Sequence, residues 1–353
     1  MTKYYFLGGV TPNGFSTSLS ELIASEEYFT YILKGGPGTG KSSVMKKIAN
    51  VFEGKEDVTR YYCSSDPDSL DAVILHSSKV IIVDGTPPHV FEPLFPGVCQ
   101  KIINLGECWD DSLLKEHRED IIRAVRKNKA LMKSASENHK ILGSVCTERK
   151  DKSKEFVNTG RISDFAADFC RQYLKVRNEC SGKEFIRQLS VMTRYGYMTH
   201  MKTIDNYQTV FFIKDDLFAA TDVLLKLIAR EAAERGYDVR LSNCLLFGTA
   251  VREHLLIDGA SLALVSSNPL TQITCTGQTL IDCSDFYDRD FVQSNKEFFS
   301  ENENRIRELS DRSAKLLEDA KKSHDEIERY YIRAMDFAAI DRIYDSLYNE
   351  LTQ

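Results

Sequence analysis

Short apolar runs typical of β-strands alternate with helix-like patterns through the first third of the chain. The strand-type runs lie at residues 3–10, 31–33, 57–63, 79–83 and 102–105. From Asp110 onward, apolar residues recur at helical spacing, and residues 110–143 and 162–180 contain little Gly or Pro. Strands that alternate with helices are typical of a parallel sheet covered by helices. The pattern therefore predicts an α/β fold.

The second half of the chain repeats the first faintly, in the same order and at nearly constant spacing. Matching segments are 31–34 with 211–214, 44–49 with 224–229, 80–83 with 262–265, and the literal DFAA at 164–167 and 336–339. Self-similarity with a long period indicates copies of one structural unit. The sequence predicts two domains, at residues 1–188 and 189–353, each ending in a helical extension.

The first copy contains a glycine-rich octet, GGPGTGKS, between a strand-type run and a helical pattern. Glycines let the backbone curl so that successive N–H groups face an anion, and the following helix N-terminus favours negative charge. In this pattern the lysine reaches the β- and γ-phosphates and the serine binds Mg²⁺. The predicted phosphate-binding residues are Gly36, Pro37, Gly38, Thr39, Gly40, Lys41, Ser42 and Ser43.

Asp84 supplies a second part of the predicted site. It ends the apolar run KVIIVD, about forty residues after Lys41, a position suited to holding Mg²⁺ beside Ser42. Many ATP-driven motors carry glutamate directly after this aspartate to activate water, whereas this chain has Gly85. Either hydrolysis is slow or the general base lies elsewhere.

Acidic loops supply the candidates for that base. Asp66, Asp68 and Asp71 follow one strand-type run, and His89 follows Asp84. Asp66 and Asp68 could bind a substrate hydroxyl or act as a base, and His89 could sense the γ-phosphate. The alternative is ordinary turn and N-cap chemistry for the aspartates and a packed loop position for the histidine. Both interpretations remain open at this stage.

The second copy has lost the phosphate-binding residues. At the positions of Gly35, Gly36, Gly38, Gly40, Lys41 and Ser42 it carries Asp215, Asp216, Phe218, Ala220, Thr221 and Asp222. Ser266 stands at the position of Asp84. Binding a phosphate beside three carboxylates would cost several kcal/mol through like-charge repulsion. The second copy is therefore expected to exclude nucleotide and to have a structural or regulatory role.

Composition and charge indicate which partners and which compartment to expect. The net charge of −6 argues mildly against bulk nucleic-acid binding, which is not excluded. Nine scattered cysteines without a C-x-x-C pair suit reduced thiols in a cytoplasmic protein. No apolar stretch approaches the length that spans a bilayer, and no signal peptide is visible, so no membrane partner is expected.

Two charged regions indicate partners. Residues 121–136 carry five basic side chains and no acid. They could form a solvated face, bind an anionic partner, or supply an arginine to a neighbouring nucleotide site. The final helical patterns, at 296–322 and 324–349, are heptad-like in places. They predict helix packing within the chain, with a protein partner, or in self-association.

The motifs GGPGTGKS and KVIIVDG resemble those of P-loop nucleoside-triphosphatases, and GPGTGKS is similar to the loop of AAA-type ATPases. Together with GGVTPNGF, CSSDPDSLD, VDGTPPH and INLGE, they resemble a bacterial family of tandem P-loop ATP-binding proteins. The resemblance implies two P-loop-type domains, with the second degenerate in this chain, and it implies ATP as the ligand.

The leading functional prediction is Mg-ATP binding with slow hydrolysis by a single competent P-loop, acting as a nucleotide switch or regulatory ATPase. Lys41, Asp84, Asp66, Asp68 and His89 are its candidate catalytic residues, and Ser42 and Asp84 its candidate Mg²⁺ ligands. A second prediction is a small-molecule or nucleotide kinase that binds its acceptor through Asp66 and Asp68. A third is a non-enzymatic scaffold gated by nucleotide.

Overall fold

A computed structural model describes residues 1–17, 23, 25–87, 90–177, 180–247, 250–273 and 279–352. The strands are β1 Thr2–Phe6, β2 Gly8–Thr11, β3 Gly14–Thr17, β4 Phe29–Lys34, β5 Val58–Tyr62, β6 Leu70–Leu75, β7 Val80–Asp84, β8 Gln100–Asn104, β9 Glu184–Ile186, β10 Ser190–Thr193, β11 Gly196–Thr199, β12 Thr209–Lys214, β13 Val239–Asn243, β14 Arg252–Ile257, β15 Leu262–Ser267 and β16 Thr279–Asp282. The helices are α1 Lys41–Phe52, α2 Asp111–Glu116, α3 Arg118–Lys154, α4 Thr159–Tyr173, α5 Met201–Ile204, α6 Ala219–Glu234, α7 Arg289–Ser294, α8 Lys296–Ala334 and α9 Phe337–Thr352. Short 3₁₀ segments lie at Leu105–Cys108, Asp258–Ala260 and Cys283–Phe286.

The first sheet has six strands in the order β1-β5-β6-β7-β4-β8. β4 lies between β7 and β8 and runs parallel to both, and β1 runs parallel to β5. Helix α1 covers this sheet because Val44, Ile48 and Ala49 recur on one helix face, and all three are buried. The predicted α/β class is confirmed.

The predicted parallel sheet is mostly parallel, with one antiparallel strand. β6 runs antiparallel to both β5 and β7. The connections on either side of β6 are short loops, and a short connection joins antiparallel neighbours, because a parallel pair needs a crossover of a dozen or more residues. Lys79, in the turn before β7, has a φ of 55°, a left-handed conformation that such tight turns require.

The second sheet repeats the first strand for strand. Its order, β9-β13-β14-β15-β12-β16, matches the first, with β14 as its antiparallel strand. β12 runs parallel to β15 and β16, as β4 does to β7 and β8. The two six-stranded, mostly parallel sheets agree with the tandem organisation that the sequence repeat indicates.

The compact units of the chain differ from the boundary predicted at residues 188 and 189. One unit contains residues 1–9, 15–135 and 315–353, and the other contains residues 10–14 and 136–314. The apolar faces of the helices explain the difference. α9 contributes Ile340 and Leu347 to the core of the first unit, and α4 contributes Ile162 and Phe169 to the core of the second.

The literal DFAA repeat does not mark equivalent structural positions. Asp336 precedes α9, and its Oδ1 accepts a hydrogen bond from the Ala339 N–H at 3.1 Å. The corresponding cap of α4 is Asn158, whose Oδ1 accepts from the Arg161 N–H at 3.0 Å. Asp164 instead lies within α4. A four-residue identity is too short to fix the register of two helices.

Within the described part of the chain, no helix combines the length and apolar character needed to cross a membrane.

Candidate functional site

The glycine-rich octet forms the connection between β4 and α1. Gly38 and Gly40 have φ values of 70° and 89°, in the left-handed region where a side chain causes strain. Gly40 is the N-cap of α1 and brings no side-chain oxygen to the first N–H groups of the helix. Such a helix N-terminus favours an anionic ligand.

The Lys41 side chain folds back over the loop. Its Nζ donates hydrogen bonds to the Gly35 oxygen at 3.0 Å and the Gly36 oxygen at 2.8 Å. The same atom lies 3.7 Å from Asp84 Oδ2, and Lys41 is only 9% exposed. The loop and the end of β7 therefore hold one buried cation between them.

Two further polar residues lie next to that lysine, Ser42 as the following residue in the chain and Asp84 at the end of β7. Ser42 Oγ accepts a hydrogen bond from the Leu70 N–H at 2.9 Å, at the start of β6. Asp84 Oδ1 accepts from the N–H of Thr86 at 2.9 Å and from its hydroxyl at 2.5 Å. Burial raises the pKa of Asp84, and the charge of Lys41 opposes this shift.

These two side chains fit the needs of Mg²⁺. In nucleotide sites Mg²⁺ binds one or two protein oxygens and completes its shell with phosphate oxygens and water. A hydroxyl and a carboxylate beside an amide-lined loop supply that donor set. No cluster of three or more His, Cys, Asp or Glu able to hold a metal alone is found among the described residues.

The glycine after Asp84 is required by packing. A Cβ atom at Gly85 would lie 2.4 Å from Ile32 Cγ2 in β4. Because that contact is far below van der Waals distance, a glutamate at this position would force the buried Ile32 side chain or its strand to shift. The absence of an acid at this position thus has a steric cause.

Replacing Gly85 with alanine is expected to lower the free energy of unfolding by about 1–3 kcal/mol, the usual cost of overpacking a core. Urea unfolding followed by fluorescence of Trp109, the single tryptophan, measures this in the first unit. In an Ile32→Ala background, which removes the clashing methyl group, the same substitution should cost less. Equal costs in both backgrounds would contradict the steric explanation.

Asp71 is brought to the site by the antiparallel strand. The register of β6 with β7 pairs Ala72 with Val83, which places Asp71 and Asp84 at the next, neighbouring positions. Asp71 is buried, and its charge adds to the raised pKa of Asp84. The sequence includes Asp71 among the base candidates, but only the direction of β6 shows that it faces this edge.

The other predicted acids have different surroundings. Asp66 Oδ2 accepts a hydrogen bond from the Ser69 hydroxyl at 2.9 Å, and the Asp66 carbonyl accepts from the Ser69 N–H at 2.8 Å. This is the turn chemistry that the sequence left as an alternative. Asp68 in the same loop is exposed. His89 lies outside the described residues.

A helix from the far end of the sequence packs against the loop. A Cβ atom at Gly36 would lie 2.7 Å from the Tyr331 ring, and one at Gly38 would lie 3.1 Å from the main-chain oxygen of Glu328. The Tyr331 ring also lies 5.4 Å from that of Trp109. A side chain at either glycine would press on this part of α8. No motif in the sequence indicates that α8 borders the loop.

The second copy fills its own loop with protein groups. Asp215 accepts hydrogen bonds from the Leu217 N–H at 3.0 Å, the Thr221 N–H at 2.8 Å and the Tyr287 hydroxyl at 2.8 Å. The Tyr287 oxygen accepts from the N–H groups of Ala219 and Ala220 at 3.1 and 2.8 Å. Amides that would face a phosphate are thus satisfied internally.

Other contacts of the missing site are also replaced. Arg149 Nε donates to the Asp216 oxygen at 2.6 Å, as Lys41 does to the Gly36 oxygen. Asp222 Oδ1 accepts from the Arg252 N–H at 3.0 Å, as Ser42 does from the Leu70 N–H. The backbone pattern is retained, and side chains of this unit occupy it.

Comparisons of the chain with protein-family models, curated proteins and solved structures find no match. The family resemblance therefore stays a prediction, and function must be inferred from the geometry of the site.

Proposed function

We propose that this chain binds one Mg-ATP at the loop between β4 and α1, hydrolyses it slowly, and acts as a nucleotide switch or regulatory ATPase. The observation that carries the proposal is the buried Lys41 amino group, held by the carbonyl oxygens of Gly35 and Gly36 and lying 3.7 Å from Asp84. Lysine is almost never fully buried unless it is paired, and here the pairing holds a compact positive charge at the glycine-rich loop, where it can meet a phosphate.

Each residue of the site has a distinct role in this proposal. The loop N–H groups and Lys41 bind the phosphates, and Ser42 and Asp84 hold Mg²⁺. The metal, when bound, supplies charge neutralisation between the β- and γ-phosphates. Asp84 must be ionised to bind a cation, and the neighbouring Lys41 charge favours that form.

Slow turnover is expected because glycine, and not an acid, directly follows Asp84. Gly85 lies too close to Ile32 for a glutamate at its position. Asp71 is the buried carboxylate nearest in register to Asp84, and it is the group best placed to orient an attacking water. A general base typically raises the rate by about 10²–10⁴-fold. An acid that is aligned less directly than a dedicated glutamate is expected to supply only part of that acceleration.

Nucleotide titration and an ADP assay test the proposal together. Titration with Mg-ATP should saturate at about one nucleotide per chain, because Asp215 and Tyr287 occupy the second loop. ADP should form slowly and without any acceptor. A second saturable site would contradict the internal filling of the second copy, and the absence of binding would contradict the proposal.

The kinase prediction remains the second candidate because Asp68 is exposed in the loop that precedes β6. Asp66 is bonded to Ser69 and is less exposed than Asp68, so Asp68 is the more accessible of the two to an acceptor. ADP formation that depends on an added metabolite or nucleoside, and that is lost in Asp68→Ala, would favour the kinase. Binding without any turnover would favour the nucleotide-gated scaffold.

A further inference from the structure

A partly buried lysine of α8 lies beside the proposed nucleotide site. Lys321 Nζ is 3.5 Å from Asp66 Oδ2 and 3.9 Å from Glu328 Oε2, and it also bonds to Asp325. Its side chain is only 13% exposed. Burial lowers the pKa of Lys321, but the carboxylates of Asp66, Asp325 and Glu328 raise it by more. The net pKa is above the usual value, so Lys321 is a cation at neutral pH.

The same face of α8 reaches the phosphate-binding loop. Glu328 lies seven residues, or about two helical turns, after Lys321, so both project from one side of the helix. The main-chain oxygen of Glu328 lies 3.1 Å from where a Cβ atom at Gly38 would stand, so this part of α8 packs against the loop. A hydrogen bond with His324 lowers the pKa of Glu328, and Lys321 and Lys41 act in the same direction. The two lysines therefore lie near one carboxylate.

A short series of contacts joins Lys321 to the predicted Mg²⁺ ligand. Asp66, which pairs with Lys321, also accepts a hydrogen bond from Ser69. The next residue, Leu70, donates its N–H to Ser42 Oγ. Lys321 thus borders the loop that positions Ser42.

The repeat shows that the helix can pack on this loop without a lysine. The Asp336 N–H donates to the Cys108 oxygen and the Asn158 N–H to the Phe286 oxygen, so the two long helices correspond with an offset of 336 − 158 = 178 residues. The position of Lys321 in α8 is then that of Gly143 in α3, since 321 − 178 = 143.

In the second unit, Gly143 packs on the loop that corresponds to the one containing Asp66. A Cβ atom there would lie 2.0 Å from the Leu246 oxygen, so no side chain fits. The same helix position thus meets the same loop in both units. That position carries a lysine only in the unit that keeps Lys41. The packing of helix on loop therefore does not need the Lys321–Asp66 pair, which occurs only beside the proposed nucleotide site.

We propose that Lys321 is a second phosphate-binding cation of this site and that it contacts the terminal phosphate of ATP. This inference rests on the proposed function. The flexible four-carbon stem of lysine lets the amino group exchange the carboxylates for phosphate oxygens. Water attacks the γ-phosphorus, the bond to the bridging oxygen breaks with its electron pair passing to ADP, and the proton that the water loses as inorganic phosphate forms passes to the solvent. Lys321 transfers no proton in this step and neutralises developing charge.

The test compares Lys321→Ala, Lys321→Arg and the control Lys322→Ala for ATP affinity, ADP affinity and single-turnover hydrolysis. Lys322 is the exposed neighbour and pairs only with acids of its own helix among the described ion pairs. Lys321→Ala should weaken ATP binding about tenfold or more, change ADP binding less than about threefold, and slow hydrolysis about 10- to 100-fold. Lys321→Arg keeps the positive charge, so it should lose less ATP affinity and less hydrolysis rate than Lys321→Ala.

Further variants separate this role from a structural one. Asp325→Asn removes one restraint on Lys321, so it should keep ATP preference and turnover, whereas a purely structural network would lose them as in Lys321→Ala. Trp109 fluorescence during urea unfolding verifies that each variant is folded. A folded Lys321→Ala that binds ATP and ADP in the wild-type ratio, with unchanged turnover, would overturn the inference. Failure of the proposed function itself would instead appear as unchanged ATP affinity in Lys41→Ala.

Discussion

Replacing Lys41 with alanine is expected to weaken Mg-ATP binding roughly 30-fold to several thousand-fold. The Lys41 amino group is buried between the loop carbonyls and Asp84, so a bound triphosphate would pair with it at low dielectric. Removing one partner of a buried, hydrogen-bonded charge pair costs about 2–5 kcal/mol, and each 1.4 kcal/mol is tenfold in Kd. Isothermal titration calorimetry of the purified protein with Mg-ATP measures the change in Kd.

The matched control is Lys46→Ala, five residues further along the same helix. Loss of a lysine from α1 is common to both variants, but only Lys41 touches the loop carbonyls. Lys46→Ala should leave the Kd within about twofold. If Lys41→Ala retained wild-type ATP affinity while remaining folded by circular dichroism, the proposed site would be wrong, together with the proposed function.

Replacing Asp215 with alanine is expected to lower the free energy of unfolding of the second unit by about 3 kcal/mol, within a range of 2–5. Asp215 is 1% exposed and accepts hydrogen bonds from Leu217, Thr221 and Tyr287. Alanine would leave these buried donors without their acceptor. The cost of burying the carboxylate, which raises the pKa of Asp215, offsets part of the loss.

Asp216→Ala is the control for that measurement because its side chain is 61% exposed and its pairing with Lys214 is long, at 3.9 Å. It should change stability by less than about 0.5 kcal/mol. Circular dichroism during urea unfolding follows both units, and Trp109 fluorescence follows the first, so the loss can be assigned to the second. An Asp215→Ala protein as stable as Asp216→Ala would show that the aspartate is not the internal anion described above.

The second copy illustrates how far sequence reasoning reaches into the site. Three carboxylates in place of glycines and a serine predict that phosphate is excluded, and charge repulsion is sufficient for that inference. The sequence does not indicate that Asp215 and Tyr287 satisfy the loop amides, because these two residues are 72 positions apart in the chain. Phe218, with a φ of 65°, keeps the left-handed conformation of Gly38. A strained residue of this kind cannot be inferred from its identity.

By itself, the sequence determined the α/β class, the existence of two related copies, and the loop at residues 35–42, because periodicity and glycine spacing are local properties. Only the tertiary structure decided which acids reach that loop and which helix borders it. Asp71 faces Asp84 because β6 runs antiparallel. Lys321 lies beside Asp66 because the apolar face of α9 is buried in the first unit, which also contains the last part of α8. Contacts between residues far apart in sequence depend on how buried faces pair, and no local pattern records that choice.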